Sequence, residues 1–252
     1  EILYTADGKI KTRGVAGGDA VPIEFIASVS FTRAPYKSAV RDFDSRSAQP
    51  VRGITAPVIS PDGTQVAFIA LGDLWLMPIG GAARRLTNDR FVETDPTWSP
   101  DGRSIAFSSD RDGTTDLWVR DIASGADKKV ASEATKASWS SRGNEIAYIN
   151  RDGALAITGR TAPVHGRTFE TGRPTWAPEG WIAVTTLQPY STRFREGTNQ
   201  LLLVSTTGGA PRRLNPVEHH SIGTRTNDGP VWTRDGSKMA FAGQSNDGQS
   251  DL

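Results

Sequence analysis

The chain has 252 residues, with 29 Lys and Arg against 28 Asp and Glu, and a formal net charge of +1. That balance gives no overall field to gather nucleic acid or an anionic bilayer. Cysteine is absent, which excludes disulfides, thiolate metal sites and a cysteine nucleophile, and the longest apolar stretch, Val66 to Leu71, is far too short to span a membrane.

Glu1 opens directly on a strand-like run with no signal peptide before it, as expected if a leader has been removed or the chain is an excised piece. Ile2-Leu3-Tyr4, Ile10 and Gly17-Gly18 predict the second strand, third strand and following turn of a unit that lacks its first strand. Residues 27–53 read as a long connector. From residue 54 onward the chain repeats itself. Ser60-Pro61-Asp62-Gly63 returns as Ser99-Pro100-Asp101-Gly102, and in altered form as Ser140-Ser141-Arg142-Gly143, Ala177-Pro178-Glu179-Gly180 and Thr233-Arg234-Asp235-Gly236. The steps are 39, 41, 37 and 56 residues; three lie near the period of a four-stranded propeller blade, and the fourth is one period plus an insertion.

Each unit has a physical reading. Trp98 ends a short strand, and Ser99-Pro100-Asp101-Gly102 suits a type I turn, with proline pre-setting φ. Ile105-Ala106-Phe107-Ser108 is a second strand, Asp110-Arg111-Asp112-Gly113 a turn, Asp116-Leu117-Trp118-Val119 a third strand, and Lys128-Lys129-Val130 an outer one. Blades are thus expected over about 54–87, 95–132, 134–162 and 172–215, with partial blades at 1–26 and 228–252 in a single domain, 1–252. Strands are expected at 65–70, 73–78, 104–109, 116–122, 145–149 and 200–205, with Trp98 and Trp118 mostly buried. Pro-Asp-Gly and two further glycine turns per repeat leave no room for a ten-residue helix. The fold class is all-β: a propeller of four complete four-stranded blades plus two partial ones, part of a six- or seven-bladed ring.

Trp-Ser-Pro-Asp-Gly, then Ile-Ala-Phe, then Asp-Leu-Trp resembles the repeats of the TolB propeller family, most clearly over residues 54–252. Gly53-Ile54-Thr55-Ala56-Pro57 and Tyr190-Ser191-Thr192-Arg193-Phe194-Arg195-Glu196-Gly197 resemble the propeller half of exported bacterial amidohydrolases. That resemblance implies a periplasmic or secreted location and a metal-dependent hydrolase domain downstream, whose ligands cannot be carried over to this chain. Two alternatives stand beside it: a stand-alone TolB-like interaction scaffold of the bacterial envelope, and the propeller of a prolyl-oligopeptidase-type serine peptidase. Partners are accordingly a catalytic domain of the same polypeptide or envelope proteins, with no nucleic acid and no membrane insertion.

A search for chemistry in the chain returns nothing. His165, His219 and His220 form no His-x-His or His-Glu-x-x-His pattern, so no metal site is expected, and there is no Gly-x-Ser-x-Gly nucleophile turn. Neither a catalytic residue nor a cofactor is expected here. Asp110-Arg111-Asp112-Gly113 lacks the length and closing glutamate of a calcium loop, and turn chemistry explains it better. The pairs Arg84-Arg85, Lys128-Lys129 and Arg212-Arg213 read as solvated outer strands.

One feature points to binding. The three longest connectors, 27–53, 187–199 and 215–227, all emerge on one face of the blades and carry a net charge of +4. Long loops gathered on one face of a rigid scaffold usually serve recognition. Tyr190, Arg193, Arg195 and Glu196, flanked by His219, His220 and Arg225, are the candidate partner surface. The opposite face, carrying the Pro-Asp-Gly turns, is expected to be short-looped and featureless.

Overall fold

The computed structural model describes the chain except residues 34, 37–43, 45, 48–49, 52, 170, 178–179, 192–193, 215–220, 223–228, 234–235, 242, 245–249 and 252. It also describes the backbone but not the side chains of 188–191, 194–198, 221–222, 243–244 and 250–251. The chain divides into two units, Glu1–Ala48 and Gln49–Leu252. The first holds an antiparallel sheet of β1 (Ile2–Ala6), β2 (Lys9–Arg13) and β3 (Val21–Ile23) in that order.

The second unit holds four four-stranded antiparallel sheets, each in chain order. They are β4 (Thr55–Ile59), β5 (Gln65–Ala70), β6 (Asp73–Pro78) and β7 (Arg84–Arg85); then β8 (Glu93–Trp98), β9 (Ser104–Ser109), β10 (Asp116–Asp121) and β11 (Asp127–Ala131). The third is β12 (Ala134–Trp139), β13 (Ile146–Asn150), β14 (Ala154–Ile157) and β15 (His165–Arg167). The fourth is β16 (Thr175–Ala177), β17 (Trp181–Ser191), β18 (Phe194–Ser205) and β19 (Arg212–Leu214). The remaining short strands are β20 (Ser221–Ile222), β21 (Val231–Trp232), β22 (Met239–Ala240), β23 (Gly243–Gln244) and β24 (Ser250–Asp251). No α-helix occurs among the described residues. The innermost strands β4, β8, β12, β16 and β21 lie beside one another in turn, as in a propeller.

The repeated turn has a clear chemistry. Gly63 donates its N–H to Ser60 O at 2.9 Å, and Gly102 does the same to Ser99 O at 2.9 Å. Asp62 accepts from Ser60 Oγ (2.5 Å) and from Thr64 N (3.0 Å), and Asp101 accepts from Ser99 Oγ (2.6 Å) and Arg103 N (3.1 Å). These bonds, the serine hydroxyl's first, hold both carboxyls below the usual carboxylate range.

The middle strands supply the core. Leu74, Leu76, Ile105, Phe107, Leu117, Leu155, Ile157, Ile182 and Val204 are fully buried between neighbouring sheets. A tryptophan at or next to the end of three inner strands, β8, β12 and β16, ties its blade to the one before. Trp98 donates Nε1–H to Val58 O (3.1 Å), Trp139 to Thr97 O (3.3 Å) and Trp176 to Ser138 O (2.9 Å). Trp98 is 8% exposed, as expected. Trp118 is only half-buried: it packs against the hydrophobic cluster shared by the first two blades, and the Arg111 guanidinium lies 4.7 Å from its ring.

Burial also changes the reading of the basic outer strands. The aspartates that begin β6 and β10 are buried, and each takes one of the paired cations: Asp73 pairs with Arg85, and Asp116 with Lys129 at 2.5 Å. Lys129 also reaches Asp112 at 3.0 Å. Between the first and second blades, Glu93 accepts from Thr87 (2.7 Å) and Ser109 (3.0 Å) and faces Arg111 at 3.3 Å. Arg111 and Arg120 share Asp127, both at 2.7 Å, and Arg120 also donates to Leu86 O in the preceding blade.

Candidate interaction surface

Within the connector 187–199, residues 187–191 and 194–199 are β strand, which corrects the loop expected there. β17 and β18 are 11 and 12 residues long, against six for β5 and β6, and stay paired from Trp181↔Ser205 out to Ser191↔Phe194. On the β17 side the last lateral support among the described residues is the bridge Phe169↔Leu187, where Leu187 N donates to Phe169 O at 2.9 Å. Beyond it β17 and β18 continue paired with each other as a ribbon for about 15 Å, at about 3.3 Å per residue. Pairing across the ribbon satisfies the inward-facing backbone groups and leaves the outer ones to water, so a polar segment containing Pro189 can extend where an isolated strand could not.

Tyr190, Arg195 and Glu196 lie on this ribbon by their backbone; their side chains are outside the described residues. Arg193, His219, His220 and Arg225 lie outside the described residues altogether. Strand β20 lies alongside β18. At the ribbon's base Phe169 is 48% exposed, with the Arg167 guanidinium 5.5 Å above its ring.

A second cluster sits at the start of the inner strands, on the same end of the blades. The inner strands of the first three blades each carry a bulge there with a residue at positive φ: Ala56 (47°), Asp95 (52°) and Lys136 (56°). Arg173 occupies the same repeat position in the fourth blade. It reaches past the third blade to Asp95, Nη2 to Oδ1 3.6 Å, and donates to Pro96 O at 3.1 Å. Lys136 donates Nζ–H to Thr171 O at 2.5 Å, while its own N–H points to Asp95 Oδ2 at 3.3 Å. Inspection of the turn motifs missed these three residues, yet their separations of 41 and 37 are those of the turns themselves. Asp95 is 5% exposed, so the pair acts as a tie across blades.

The described residues hold no group of three or more His, Cys, Asp or Glu able to bind a metal. Burial pushes the His165 imidazole down. Among the described carboxylates, Glu93 is the one pushed up, by burial against the opposing bonds from Thr87 and Ser109, and it is enclosed between blades. No described helix is long and apolar enough to cross a membrane.

The family model for PD40, the TolB β-propeller domain, matches residues 23–220. The chain belongs to the TolB β-propeller family. Its fold is similar to that of TolB from Acinetobacter baumannii, with a TM-score of 0.58 and 16% identity over 94% of this chain and 54% of that one. Tricorn protease homolog 1 of Streptomyces coelicolor is 34% identical over 96 residues, 38% of this chain and 8% of the relative. The uncharacterized peptidase YuxL of Bacillus subtilis is 31% identical over 108 residues, 37% of this chain and 16% of the relative. The chain thus spans about half the length of that TolB and under a fifth of the two curated peptidase relatives.

Proposed function

We propose that this chain, 1–252 as one propeller domain, is a non-catalytic interaction scaffold of the bacterial envelope, periplasmic or secreted, that binds a partner protein through its ribbon-bearing face. The observation that carries this reading is the ribbon: β17 runs past its bridge to Phe169, its last lateral contact among the described residues, while staying paired with β18. Its sequence offers Tyr190, Arg193 and Arg195, residue types favoured as interface anchors because each joins a large contact area to a directed polar group. Glu196, His219, His220 and Arg225 complete the partner surface in this reading.

A second reading has the propeller serve a catalytic domain of the same polypeptide, docked on the same face. The peptidase relatives favour it, since each extends far beyond the matched segment. The amidohydrolase pairing is the less supported form, because the relatives named above are a TolB and two peptidase-type proteins. The test is co-purification from cells making the wild-type protein or the Tyr190→Ala, Arg193→Ala, Arg195→Ala variant, with partners quantified by mass spectrometry. The reading requires loss of a protein partner with circular dichroism unchanged. Identical partner profiles would overturn it.

A further inference from the structure

On the turn face, neighbouring blades interlock through their repeated turns. A Cβ placed on Gly102 would stand 3.8 Å from Pro61 Cδ, and one on Gly143 would stand 3.5 Å from Pro100 Cδ. The proline of each turn therefore wedges against the glycine of the next blade's turn. The third turn has Ser141 where the first two have proline, and a Cβ on Gly180 would meet Thr206 Oγ1 at 3.1 Å but no atom of Ser141 within 4 Å. At that gap the structure has a cavity of about 570 Å³, lined by Ser141, Arg142, Asn144, Glu145, Trp176 and Thr206 among others. The turn face is short-looped as expected, but it is not featureless.

Among the described lining residues the chemistry is one-sided. Arg142 replaces the aspartate of the first two turns, is exposed, and makes no ion pair among the described residues. Asn144 uses Oδ1 to accept from Ser140 Oγ at 3.1 Å, which leaves its amide nitrogen to donate. The carboxylate Glu145 is already neutralised by Arg160 at 2.8 Å. The one polar atom of the Trp176 side chain is held by Ser138 O at 2.9 Å, so the half-buried indole offers hydrocarbon surface. Donors at the mouth and an aromatic wall behind them suit an anion carried on a flat ring. The volume falls in the range of small-molecule sites.

We propose that this cavity between the third and fourth blades binds a small anionic ligand, a carboxylate or phosphate on a ring, with Arg142 holding the anion and Trp176 the ring. The site lies at the opposite end of the blades from the ribbon and does not depend on its role. The test is a titration of the whole 252-residue protein with benzoate, phenyl phosphate and uncharged benzyl alcohol. The readout is the Trp176 indole N–H resonance, assigned with Trp176→Phe. The expected result is saturable movement with one or both anions and at least about tenfold weaker binding of benzyl alcohol, the worth of a charge-assisted contact. The two anions separate a carboxylate from a phosphate source. Arg142→Glu should weaken the anion at least tenfold, and Ser141→Pro, which restores the wedge, should abolish binding with the fold retained. No saturable movement with either anion, binding indifferent to Arg142→Glu, or full binding in Ser141→Pro would each overturn the proposal.

Discussion

Replacing Trp98 tests how the blades are joined. The side chain is 8% exposed, packs against the cluster of Ala67, Leu74, Leu76, Ile105 and Phe107, and donates to Val58 O at 3.1 Å. Trp98→Ala removes the ring and leaves a cavity between the first two blades, a loss of about 3–5 kcal/mol. Trp98→Phe keeps most of the ring but leaves the carbonyl of Val58 without its donor, which costs about 1–2 kcal/mol. With an m-value of about 2–3 kcal/mol/M in urea, the Ala variant should lose roughly 1–2.5 M in unfolding midpoint. The Phe variant should lose less than about 1 M on the same scale. The assay is urea unfolding followed by far-UV circular dichroism. An Ala variant within about 1 kcal/mol of wild type would refute the packing argument. A Phe variant as damaged as Ala would mean that the hydrogen bond, and not the ring, joins the blades.

Other outcomes follow from the same structure. The Asp116 carboxyl is pushed up by burial but held down overall by Lys129, the Glu133 N–H and Thr114. A carboxyl lowered in the folded state adds stability above its unfolded pKa of about 3.9, lost as pH falls through the folded value, so Asp116→Asn should flatten the acid limb of a stability–pH curve. Arg173→Met leaves Asp95 buried without its cation and should cost about 3 kcal/mol, whereas Arg173→Met with Asp95→Asn should cost clearly less. Additive losses in that double-mutant cycle would show that the 3.6 Å contact carries no coupling. The purified chain should show no hydrolase activity with or without zinc, and zinc-dependent turnover abolished at His165, His219 or His220 would contradict the reading of the site.

Much of the architecture was legible because the repeat carries its own turn chemistry. Strands 65–70, 73–78 and 104–109 occur with the expected bounds, since Ser-Pro-Asp-Gly fixes where each hairpin starts. The ribbon was not legible: Gln188 to Thr192 is polar and contains proline, and pairing of backbone to backbone leaves no trace in side-chain periodicity. The partners of Arg85 and Lys129 were hidden for another reason. A basic pair reads as solvated until the register places Trp75 opposite Arg85 and Trp118 opposite Lys129, beside the buried aspartates. Asp95, Lys136 and Arg173 could have been found by carrying the turn spacing back four residues. The cavity was also written in the sequence, as serine and arginine in place of proline and aspartate at 141 and 142. Of the candidate partner surface the backbone of Tyr190, Arg195 and Glu196 is placed, and the rest falls outside the described residues.

The central claim, a partner protein held by the ribbon-bearing face, is tested most directly by photo-crosslinking in the cell. A benzophenone amino acid is placed at position 190 on the ribbon in one variant, and at position 62 in the first Ser-Pro-Asp-Gly turn in another. The account predicts a discrete protein adduct from position 190 and none from position 62. Adducts from position 62 alone, or the same adducts from both, would contradict it.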